Sequence, residues 1–116
     1  MVGFSGHGFR VRIGEQAMLA PGGLLISPVS ALDWKDIPSI EALQIGALDD
    51  LLAGAPTSEF LLLGTGARLA QPPRSFVRAV EARGMGVEVM DSRAAARAWG
   101  VLRAEERPII GALMPL

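Results

Sequence analysis

Cysteine and tyrosine are absent from this 116-residue chain, and histidine occurs once, at His7. Without cysteine there is no disulfide, no thiolate nucleophile and no sulfur-ligated metal, and one histidine excludes a multi-histidine site. An excess of basic charge is also lacking. The 11 Lys and Arg residues face 12 Asp and Glu, for a formal net charge of −1. That leaves no electrostatic footprint for nucleic acid and no polybasic anchor for anionic lipid. No apolar run approaches the ~20 residues that span a bilayer, and the longest, such as residues 109–114, are strand-sized. Residues 1–8 have neither the basic nor the apolar region of a secretory signal. These absences predict a soluble, cytoplasmic protein with no direct membrane insertion, no nucleic-acid partner, no metal and no cofactor.

What is present is apolar. Half of the residues are hydrophobic and the mean hydropathy is +0.36. The length suits a single α/β domain over residues 1–116 with a core of its own. A small domain has much surface, so part of this apolar content is expected outside the core, on a surface for a protein partner or a homo-oligomer.

Residues 9–13 alternate apolar and polar, as in a half-buried strand, with Gly14 and Glu15 as a turn. Strands are also predicted at 24–27, between Gly23 and Pro28, and at 30–34. Residues 47–53 read as a short helix stopped by Gly54, and 55–58 as a loop. Phe60, Leu61, Leu62 and Leu63 form an unbroken apolar run, expected of a strand covered on both faces. A helix follows over 75–83, opened by Pro72 and Pro73 and ended by Gly84. The next strand is 86–90. Asp91 or Ser92 caps a helix over 92–103 whose inner face is Ala95, Ala98, Trp99 and Leu102. Pro108 precedes a last strand at 109–114. The order predicts strands 60–63, 87–90 and 109–113 in one sheet, parallel between neighbours, with helices 75–83 and 92–103 on one side.

Ligands of open α/β sheets collect beyond the carboxyl ends of the strands. Gly64-Thr65-Gly66 ends one strand and Asp91-Ser92 follows another, so both belong at one end of the sheet. The first lacks the third glycine of a dinucleotide fingerprint and the Gly-Lys-Thr/Ser of a P-loop. Arg68 and Arg97, with the helix start at Ser92, could hold a small anion or a carboxylate. Glycine there also permits a sharp exit from the sheet, and Asp91 opposes an anion. His7, between two glycines, has no rigid support for general-base work, and no serine has an evident base beside it. Glu105, Glu106 and Arg107 read as a turn with a local ion pair. Trp99 is the residue expected to overhang the sheet edge and meet a partner. Arg97 is expected as a strut reaching Asp91, Glu88 or Glu105.

The run of strand, Gly64-Thr65-Gly66, glycine-ended helix, residues 86–92 and then Ala95 to Leu102 resembles a small α/β family of unknown function. That family includes mitochondrial respiratory complex I assembly factor three. Arg97, Leu102, Glu105 and Arg107 fall where it keeps the same residue type. Trp99-Gly100 stands in place of its aromatic-Asn pair, and Ala96 near a small residue such as Cys. The resemblance implies a three-layer α/β fold around a mixed, partly parallel sheet, no established catalysis, and help in assembling a membrane complex through protein contacts. The functional expectation is therefore a protein-binding or assembly-type factor rather than an enzyme. The alternative is a small-molecule or anion site at Gly64, Thr65, Gly66, Arg68, Asp91, Ser92 and Arg97.

Overall fold

The computed structural model describes residues 2–6, 8–54 and 58–116, with Ser5 described by its backbone alone. His7 and residues 55–57, read above as a turn and a loop, lie outside them. The first three strands, β1 (Val2–Ser5), β2 (Gly8–Ile13) and β3 (Gln16–Ala20), form an antiparallel sheet in that order. On β2, Phe9 and Val11 are buried while Arg10 and Arg12 are exposed, so the alternation in the sequence is the alternation of two faces. The strands β1 and β3 were not legible as strands. Gly3 interrupts β1, and the outward positions of β3 are Ala17 and Leu19, so no polar residue marks its outer face.

The larger sheet contains β4 (Gly23–Ile26), β5 (Ala31–Trp34), β6 (Phe60–Gly64), β7 (Gly86–Met90) and β8 (Ile110–Leu113), in the order β5-β4-β8-β6-β7. It is mixed: β4 is antiparallel to β5 and β8, whereas β6 is parallel to β7 and β8. The predicted parallel set is present. Three helices pack on this sheet: α1 (Asp49–Gly54), entered through a 3-10 turn at Ile45–Leu48, α2 (Arg74–Glu81) and α3 (Ser92–Ala104). A further 3-10 turn covers Ile40–Ala42. After α2, Gly84 takes φ +85°, the left-handed conformation expected past a helix end.

The central strands are buried on both faces, and successive residues enter two cores. Leu25, Leu61, Leu63 and Ile110 pack with Leu48, Leu51, Phe76 and Val80. Leu24, Ile26, Leu62 and Leu113 pack on the other side with Ala95, Ala96 and Trp99 of α3 and with Phe9, Val11 and Ala20 of the small sheet. The layers are thus α1 and α2, the large sheet, then α3 with the small sheet. This corrects the expectation that α2 and α3 share one side. From β6 the chain steps outward to β7, then back across β6 to β8. Two right-handed crossovers running in opposite directions put their helices on opposite faces.

Candidate functional site

The opposed crossovers make the carboxyl ends of β6 and β7 a topological switch point, the place where α/β sheets open a crevice. Here hydrogen bonds within the chain bridge the strand ends. The Ser92 side chain is fully buried at the first turn of α3. Its hydroxyl donates to the Met114 carbonyl at 2.7 Å and accepts from the Gly66 N–H at 2.8 Å. The Ser92 N–H donates to the Gly66 carbonyl at 2.8 Å, and the Thr65 N–H to the Met90 carbonyl at 2.9 Å. Asp91 caps α3 by accepting from the Ala94 N–H at 2.9 Å. One hydroxyl therefore ties together the exits of β6 and β8 and the start of α3.

Both glycines of the loop are explained by this closure. A Cβ on Gly64 would stand 2.8 Å from the Ser92 hydroxyl oxygen and 3.0 Å from its Cα. Gly66 takes φ +98°, which favours glycine. Between them, the Thr65 hydroxyl donates to the Arg68 carbonyl at 2.6 Å and accepts from the Ala70 N–H at 3.1 Å, which folds the loop back on itself. The structure brings Gly64, Thr65, Gly66, Asp91 and Ser92 together, as their order predicts. The Arg68 and Arg97 side chains are exposed and have no hydrogen-bond or ion-pair partner among the described residues. The strut expected of Arg97 is therefore not formed. Its helical position points it to solvent, between the buried Ala96 and Trp99 on the inner stripe.

Trp99 is 3% exposed, which corrects its placement as an overhanging surface residue. The small sheet covers the helix face on which it lies, and Gly111 leaves room for its ring, 3.4 Å from where a Cβ would be. Gly100 is exposed with nothing within 4 Å of an added Cβ.

Arg107 pairs with Glu59 across 48 residues rather than with its neighbours in the turn. Its Nε and Nη2 donate to the two carboxylate oxygens at 3.1 and 3.2 Å. This bond, with the arginine's charge, holds the Glu59 carboxyl below the usual glutamate range, and the carboxylate raises Arg107 in turn. The guanidinium also lies 5.6 Å over the Phe60 ring. Both side chains are more than 40% exposed, so the pair is a clip at the surface.

Two open concavities lie on the small sheet and at its edge toward β5. A cleft of about 560 Å³ runs over Gly3, Arg10, Arg12, Ala17 and Leu19, and one of about 250 Å³ adjoins it at Ala17 and Met18 and reaches Val29. Leu19 is 63% exposed and Val29 73%. These exposed apolar residues lie away from Trp99 and the last strand, where the sequence placed a partner surface, because β3 was not recognised and Trp99 and β8 are buried.

Residues 2–114 match the model of a family described as proteins of unknown function (DUF498/DUF598). An uncharacterized protein of Rhodobacter capsulatus is 36% identical over 95 residues, covering 82% of this chain and 70% of that protein. A Francisella tularensis protein called the 13 kDa major membrane protein is 30% identical over 74% of this chain and 69% of its own length. Zebrafish NADH dehydrogenase [ubiquinone] 1 alpha subcomplex assembly factor 3 is 30% identical over 81% of this chain, which spans 53% of that protein. Among solved structures, a Bordetella parapertussis protein superposes with a TM-score of 0.79 at 29% identity, over 97% of this chain and 92% of that one. Among the described residues no helix is long and apolar enough to cross a membrane.

Proposed function

This chain belongs to the DUF498/DUF598 family of proteins of unknown function, and from that premise we propose that it acts by binding another protein, as an assembly-type factor. The observation that carries this reading is the apolar surface around β3, where Leu19 and Val29 stand exposed beside two adjoining clefts. Exposed apolar side chains gathered on one flank are the ordinary mark of a protein-contact surface. A relative named as an assembly factor of the respiratory NADH dehydrogenase supplies the partner class. The strand ends add nothing against it, since their hydroxyls and amides are bonded within the chain.

The experiment is deletion of the gene in its source organism, followed by native-gel measurement of the assembled NADH dehydrogenase complex. The expected result is less assembled complex, restored by a plasmid copy. An unchanged amount of complex would overturn the assembly reading.

A further inference from the structure

Among the described residues, four strands form the edges of the two sheets: β1 and β3 of the small one, β5 and β7 of the large one. An edge strand presents unpaired backbone groups to other chains, and three of these edges are guarded. On β1 the Phe4 carbonyl accepts from the Arg10 Nε at 3.0 Å, and the Arg93 guanidinium of α3 lies 5.0 Å over the Phe4 ring. The strand β5 turns Asp33 inward, with its Oδ1 buried. The strand β7 exposes Glu88 at its middle position. The remaining edge, β3, reads Gln16-Ala17-Met18-Leu19-Ala20, with no charge and no proline.

Pairing with β2 decides which groups of β3 face outward. Gly14, at φ +60°, and Glu15 form a two-residue turn that closes on Ile13 and Gln16. Such a turn starts the ladder with a hydrogen-bonded pair, and bonded and non-bonded pairs then alternate. Ile13–Gln16, Val11–Met18 and Phe9–Ala20 are therefore the bonded pairs, and Arg12–Ala17 and Arg10–Leu19 the others. The N–H and C=O groups of Ala17 and Leu19 point away from β2, and no strand pairs with them among the described residues. Beneath this edge, the cleft of about 250 Å³ lies between Met18 and the segment Val29, Ser30 and Ala31.

We infer that β3 pairs antiparallel with β3 of a second copy of this chain, about a two-fold axis at Met18. In that register Ala17 lies opposite Leu19 of the second copy, and Leu19 opposite its Ala17. Each of these pairs exchanges two hydrogen bonds, so all four outward groups of each copy find partners. Gln16 meets Ala20 and Ala17 meets Leu19, so a longer side chain faces a shorter one on either side of the axis. No charge meets a like charge along the strand. Met18 of the second copy points to the inner side, where the cleft beside Val29 and Ala31 has room for it. The joined sheet ends on two guarded β1 edges, so assembly stops at two copies. A strand of an unrelated protein would find no charge on β3 to select it and would leave its own far edge open. Backbone pairing keeps the Ala17 and Leu19 side chains on the outer face. The inference therefore goes beyond the protein-binding reading and does not depend on it.

A five-residue strand pair belongs to the weak end of interfaces, so a Kd of about 100 μM is expected, and a micromolar sample is monomeric. The test is sedimentation equilibrium of the full chain from about 10 μM to about 1 mM, a range that brackets such an affinity, with amide-resonance mapping alongside. The mass should rise from one copy to two and go no further. The amides of Ala17 and Leu19 should move with concentration and exchange more slowly, while those of β7 stay fixed. Leu19→Lys places a charge on the edge, and Ala17→Pro removes an outward N–H. Each should weaken pairing by about tenfold or more. Glu88→Lys on β7 should leave it unchanged. Leu19 is largely exposed, so Leu19→Lys should keep the fold, which unchanged resonances of the large sheet would verify. A single-copy mass at every concentration, a dimer that survives Leu19→Lys, one lost in Glu88→Lys, or shifts confined to another surface would overturn the proposal. The gene-deletion result does not depend on copy number, so failure of either reading leaves the other standing.

Discussion

At the junction of β6, β7 and α3, the donors that would face an anion already have acceptors inside the chain: the N–H groups of Thr65, Gly66, Ser92 and Ala94. On the outer face of the small sheet, the opposite holds. Ala17 and Leu19 meet solvent, Leu19 with 63% of its surface exposed, beside an open cleft. The first region has the residue types of a binding loop and serves to close the fold. The second has no motif and carries the open surface. Gly-Thr-Gly after a strand and Asp-Ser before a helix suit both tasks equally. The difference lies in whether a buried hydroxyl completes the hydrogen bonds from within, and Ser92 does so.

The comparison can be attacked first through the core that joins the two regions. Trp99 packs with Phe9 and Val11 of the small sheet and with Leu62 of the large one. Trp99→Ala should cost about 3–5 kcal/mol in a denaturant titration, as deletion of a buried aromatic ring does. A loss below about 1 kcal/mol, close to what a surface change costs, would mean that the two sheets do not share this core. Next, Gly64→Ala should cost about 1–3 kcal/mol, because its methyl group has no space beside Ser92 and Leu113. A neutral effect would show a junction looser than the closed one described.

The remaining effects are smaller. Arg97→Ala should change stability by no more than about 0.5 kcal/mol, since the side chain is exposed and unpaired among the described residues. A larger loss would restore the strut. The Glu59–Arg107 clip should show in the pH dependence of Glu59→Gln. The folded carboxyl titrates below its unfolded value, so its contribution is full above the ordinary glutamate range and fades as pH falls through the folded pKa. Wild type should therefore be slightly the more stable at neutral pH, and the gap should close in acid. A gap that widened on acidification would reverse the sign.

Much of the fold was legible, and the misses have a common origin. Phe60, Leu61, Leu62 and Leu63 announced a strand buried on both faces, and Ala95, Ala98, Trp99 and Leu102 announced the inner stripe of α3. The pairing of β4 with β8, Ile26 beside Gly111, joins distant segments through contacts that no local pattern encodes. Without β1 and β3 there is no second layer over α3, so Trp99 reads as a ring left at a sheet edge. Supplying those two strands buries it. The same omission hid the candidate surface, because Ala17 and Leu19 signal an outward face only once their strand is known. Gly64, Thr65, Gly66, Asp91 and Ser92 were placed together correctly, since strand order along the chain determines which ends meet. That Ser92 fills the space between them depends on its rotamer and on the carbonyl of Met114, 22 residues away.

The most direct measurement is a paired denaturant titration of Ser92→Ala and Leu19→Asp. Removing the Ser92 hydroxyl strands the buried Gly66 N–H and the Met114 carbonyl, a loss of about 2–4 kcal/mol from two unsatisfied groups. Leu19→Asp, on the open face, should stay within about 0.5 kcal/mol of wild type. That split is what a structural junction and an open surface require. A stable Ser92→Ala beside a destabilised Leu19→Asp would contradict the account, placing the fold's dependence on the small-sheet face and freeing the strand ends for a ligand.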